Sequence, residues 1–87
     1  MNDVILFLAV LGCHPSFSII HDAALDRPAR QSGSLIRTRT NDPAVLVHEL
    51  VHVCQEQAHG PSTTDAESAR REREARAIEI MWRNIDR

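Results

Sequence analysis

A helix start and a helix stop bracket the motif His48-Glu49-Leu50-Val51-His52, and no other stretch of the chain constrains the fold as tightly. Asp42 can cap the first turn, Pro43 suits the first helical position, and Gly60 with Pro61 ends the run. The spacing predicts a helix from about Pro43 to Ala58. On its wheel Leu46, Val47, Leu50, Val51, Val53 and Cys54 fill one arc, away from His48 and His52, while Glu49 and Glu56 share the polar side. The two histidines are therefore expected to face a cleft, and Cys54 to fill space in the core as a small hydrophobe.

Residues four apart share a helix face, so the imidazoles of His48 and His52 can reach one ion about 2.0 to 2.1 Å away. Glu49 projects about 100° around the axis from His48. That is too far round for an easy third ligand, yet suited to taking a proton from an activated water. The pattern is that of the ligand pair and general base of a zinc hydrolase.

Such a site takes three protein ligands and leaves one position for water. A second helix is expected to open at Ser62-Thr63-Thr64-Asp65 and continue to about Asp86, with Thr64 and Glu67 forming a capping box. Its apolar residues Ile78, Met81, Trp82 and Ile85 define a stripe on which Glu67 and Glu74 fall, with Glu72 and Glu79 opposite. A carboxylate facing the core needs a counter-charge or an ion. Glu67 is accounted for as the cap, which leaves Glu74 as the expected third ligand, against an ion pair with Arg70, Arg71 or a loop arginine. His59 sits one residue past the expected helix end and reads better as a group interacting with the helix dipole.

The remaining elements are short. Val4 to Leu11 reads as a buried apolar helix, or a strand, ending at Gly12. Ser16 to Ile20 is β-prone, Asp22 to Ser34 reads as a loop, and Leu35 to Thr40 alternates like a strand lying just before the site helix. That strand is expected to offer an edge to an extended substrate. The sum is one α+β domain over residues 1–87, too short for a large core and helped by a bound metal that ties two helices together. Two cysteines are too few for a disulfide framework.

The basic residues are all arginine and the net charge is −2, so no strong positive field recruits nucleic acid. Val4 to Leu11 is far short of the roughly 20 residues that span a bilayer. Leu11-Gly12-Cys13 has the form of a lipoprotein cleavage box, but Met1, Asn2 and Asp3 bring no positive charge before it. Export is accordingly the minor reading and a cytoplasmic location the favoured one.

On His48, Glu49, Leu50, His52, Val53, Gln55, Glu74 and Ala75 the chain resembles the minimal glutamate-type zincins. It is similar to the small metallopeptidase domain of extracellular contractile injection systems, and also to the ImmA/IrrE peptidases. The resemblance, which spans about Leu35 to Trp82, implies a small zincin-like core and a zinc-dependent metallopeptidase acting on peptides or proteins. It implies His48, His52 and Glu74 as metal ligands and Glu49 as base. The small size of the chain leaves a protein partner that completes the cleft as a further option. The chain has no tyrosine to stabilise an oxyanion, and His21, His59 or an arginine are the candidates left. The alternative is a zinc-stapled binding or assembly module of a phage or secretion apparatus, without turnover.

Overall fold

The computed structural model describes residues 2–85 and gives three helices packed with one three-stranded sheet, an α+β fold. The apolar N-terminal run forms helix α1, Asn2–Val10. Gly12 terminates it at φ 82°, with Gly12 N–H donating to the Ala9 carbonyl (2.9 Å) and Cys13 N–H to that of Leu8 (2.8 Å). This paired closure is a Schellman stop, which needs a left-handed residue and so selects glycine. Val4 and Leu8 face inward and are almost fully buried.

Strands β1 (Ser18–His21), β2 (Ala29–Ser32) and β3 (Leu35–Thr38) follow. The sheet order is β1-β3-β2, with β1 parallel and β2 antiparallel to β3. A two-residue loop, Gly33-Ser34, joins β2 to β3, and Gly33 at φ 58° supplies the left-handed residue that so tight a hairpin demands. β3 alternates as its sequence predicts, with Ile36 and Thr38 buried and Arg37 exposed. Its place in the sheet corrects one expectation: β3 is the middle strand, its edges already paired, so it has none to offer a substrate. The segment read as a loop from Asp22 to Ser34 contains β2, and β2 is the edge that packs beside the second helix.

Helix α2, Pro43–His59, keeps its expected limits to within one residue. Asp42 Oδ1 accepts the Ala44 N–H at 2.9 Å and Pro43 sits at the first position. At the other end Gly60, at φ 76°, donates its N–H to the Glu56 carbonyl. Helix α3, Asp65–Ile85, starts where Thr64 Oγ1 accepts the Glu67 N–H at 3.1 Å. Only that half of the expected capping box forms, because the Glu67 carboxylate instead pairs with Arg71 at 2.8 Å. Asp86, the expected helix end, lies outside the described residues.

The core joins Val4 and Leu8 of α1, Ile36 of β3, Val47, Leu50, Val51 and Val53 of α2, and Ala75 and Trp82 of α3. Phe7 meets the Trp82 ring edge-on at 5.3 Å between centroids. Cys13 and Cys54 form a disulfide with their Cα atoms 5.8 Å apart. This corrects the view of Cys54 as filler: the Schellman stop delivers Cys13 to the flank of α2, and one bridge suffices to tie the N-terminal helix to the site helix. Among the described residues no helix is long and apolar enough to cross a membrane.

Candidate metal centre

α2 and α3 make the most extensive helix pairing in the molecule, and the functional side chains lie along that seam. On α2, His48 and His52 sit one turn apart with ring centroids 5.1 Å from each other, their side chains only 14% and 19% exposed. From α3, Glu72 reaches both: Oε1 lies 2.8 Å from His48 Nε2 and Oε2 lies 3.0 Å from His52 Nε2. One ligand atom from each of the three falls within 4.8 Å of the others, a cluster that can hold a metal ion.

The donor set suits such an ion. Two imidazole nitrogens and a carboxylate are borderline donors of the kind zinc takes, and tetrahedral bonds of about 2.0 to 2.1 Å hold their donor atoms roughly 3.3 Å apart. The rings are also oriented for it. His48 Nδ1 lies 2.8 Å from Glu79 Oε1, and His52 Nδ1 lies 2.8 Å from Gln55 Oε1. With each Nδ1–H donating to its oxygen, each Nε2 keeps its lone pair toward the shared point.

Gln55 is itself fixed. It is buried, and its Nε2 donates to the Arg71 carbonyl at 3.0 Å and to Glu74 Oε1 at 2.9 Å. Glu79 is held by Arg83, whose guanidinium also approaches Asp42 at the start of α2. Arg76 lies 3.8 Å from Glu72, a loose and exposed pairing that leaves the carboxylate available.

Of the residues expected at the site, His48 and His52 are brought together and Glu49 lies beside them on the same helix. Glu74 is not brought to the histidines. It sits one turn further toward the C-terminal end of α2, bonded to Gln55, while Glu72 and Glu79, expected on the far face of α3, both point at His48. The buried positions of α3 explain the correction. Ala75 and Trp82 are buried but Met81 and Ile85 are exposed, so the inward stripe runs through 72, 75, 79 and 82, turned by roughly 90° from the one drawn through Ile78, Met81, Trp82 and Ile85.

Glu49 is half-buried, and burial raises its carboxyl above the ordinary carboxylate range. His48 and His52 oppose that rise, Glu72 adds to it, and Arg27 also opposes it. His59 lines a separate polar hollow with Glu67 and Arg70, and His21 one at the start of α2.

No protein-family model matches the chain, and no curated protein or solved structure matches it at significance. The case for function rests on the geometry of this seam. Glu72, Gln55 and Glu79 are the residues that sequence reasoning left without a role. The signal available for the two glutamates was the seven-residue spacing from 72 to 79 and from 75 to 82, which marks one face of a helix packed against another.

Proposed function

We propose that the chain is a zinc-dependent peptidase of the minimal glutamate-zincin kind, with His48, His52 and Glu72 as ligands. The observation that carries this reading is the convergence of two Nε2 atoms and one carboxylate on a common point, with a second, half-buried carboxylate next to them. A metal staple alone needs the first three; it gives no reason for Glu49 to carry the cost of burial.

Bound zinc supplies an acidified water and polarises the substrate carbonyl. Glu49 accepts the proton of the attacking water and returns it to the leaving amine, and its burial brings its proton affinity closer to what a base near neutrality requires. Glu79 and Gln55 hold the histidine rings in the binding tautomer. β2 is the sheet edge that passes the site, since Gln31 donates to Glu56 Oε2 at 2.7 Å, one turn beyond His52. An extended peptide pairing along that edge lies across the cleft. The Cys13–Cys54 bond favours an oxidising compartment over the cytoplasm.

The test is Glu49→Gln, with zinc measured by mass spectrometry and cleavage by an unstructured protein substrate. The expected result is one bound zinc in both proteins and turnover in the parent only. Zinc in both with cleavage in neither assigns the ion to the second reading, a structural staple joining α2 to α3. Absence of zinc from both discards the site.

A further inference from the structure

The sheet has a second face, turned away from α2, and its charge is unlike that of the rest of the molecule. Residues 14–41 carry four arginines and two aspartates, a net +2 within a chain of net −2. Arg30 of β2 and Arg37 of β3 are register partners, directly opposite one another across the antiparallel pair and both exposed. Like charges at such positions, with Cβ atoms about 4.5 to 5.5 Å apart, repel. Arg37 has only a loose pairing with Asp22 at 3.7 Å, and Arg30 has no ion-pair partner among the described residues. Between them lies a hollow of about 320 Å³, completed by Leu25, Ser32 and Leu35.

We propose that this hollow is an acid-selective subsite, in which a peptide held along the β2 edge places a carboxylate side chain against Arg30 and Arg37. The proposal rests on the peptidase reading for the fate of that peptide, but its recognition chemistry stands by itself. A strand added to β2 lies about 4.8 Å from it and turns every second side chain onto the outer face. An acid there finds two guanidinium forks and removes the repulsion between them. The next side chain points the other way, toward α2, where Glu56 and Glu72 already stand and a second acid is repelled. The preferred substrate segment therefore alternates acidic with apolar or neutral residues, and a slip of one residue reverses the match.

The experiment uses the full zinc-loaded chain carrying Glu49→Gln, with fluorescent (Glu-Val)4 and (Gln-Val)4 peptides as probes and anisotropy as the readout. The acidic peptide is expected to bind about fivefold more tightly, the scale of an exposed but charge-assisted pair. Adding either Arg30→Gln or Arg37→Gln, each confirmed folded by circular dichroism, abolishes the difference. Equal binding of the two peptides, including no binding of either, overturns the subsite, as does a preference unchanged in both arginine variants. A chain that prefers the acidic peptide while the parent cleaves nothing sustains the subsite and removes only the peptidase reading. A parent that cleaves both peptides alike, with equal binding, does the reverse.

Discussion

Glu79 and Gln55 do not touch the point where an ion would sit, yet they decide whether two imidazoles present their lone pairs to it. Replacing Glu79 by glutamine keeps an acceptor near His48 Nδ1 but removes the charge that strengthens the ring as a donor, and zinc affinity is expected to fall by about 10- to 100-fold. A competition titration against a coloured chelator measures this; an unchanged affinity shows that Glu79 serves only its bond to Arg83. The same titration separates the two carboxylates that the sequence ranked in the reverse order, Glu74 before Glu72. Glu72→Gln is expected to lose the ion and Glu74→Gln to keep it, and the opposite outcome returns the ligand role to Glu74. The histidine pair and the glutamate beside it were legible because their spacing is local to one helix. The acid that faces the pair across the seam was not, because it depends on which side of α3 meets α2, and exposed Met81 and Ile85 pulled the apolar average away from the buried Ala75 and Trp82. Glu49 adds one residue-scale expectation: with its charge held in a partly desolvated place, the metal-free Glu49→Gln variant should melt a few degrees higher than the metal-free parent.

At the scale of elements, helix ends were readable wherever glycine, proline or aspartate did the work, as at Gly12, Asp42, Pro43 and Gly60. β2 was hidden because Ala-Arg-Gln-Ser contains no β-branched or aromatic residue, and its strand geometry is imposed by the hairpin through Gly33 and by pairing with β3. The disulfide was hidden for a related reason: proximity of Cys13 to Cys54 depends on where α1 docks, which no local signal reports. Its consequence can be sized. The bridge spans 41 residues, and removing the closure entropy of a loop that long from the unfolded chain is worth about 4 kcal/mol in the chain-entropy model. Substituting both cysteines by alanine is expected to lower stability by about 2 to 4 kcal/mol. Urea melts of the variant beside the parent, with and without reductant, check it. A parent indifferent to reductant, or a variant equal to the oxidised parent, shows that the bridge does not hold α1.

For the molecule as a whole, few fully buried side chains link the sheet and three helices, and the α2 to α3 seam is lined in part by acids rather than hydrocarbon. Glu49, Glu72 and Glu79 crowd around His48 and His52, so without a cation the seam stores like-charge repulsion, and with one it becomes a crosslink between the two longest helices. Metal binding and folding are then linked: an ion that binds only the folded chain, present at a hundred times its dissociation constant, stabilises it by about 2.7 kcal/mol. In a domain of this size that amounts to a rise of roughly 10 to 20 °C in Tm. Calorimetry with zinc and then with excess chelator should show that drop for the parent and for Glu74→Ala, and none for Glu72→Ala, which keeps the two histidines of α2 but loses the anchor from α3. The disulfide must stay oxidised throughout, so that the response reports the seam alone. A parent whose melting ignores the chelator means that the seam holds without an ion, and a Glu72→Ala chain that responds as fully as the parent means that α3 contributes its ligand from elsewhere.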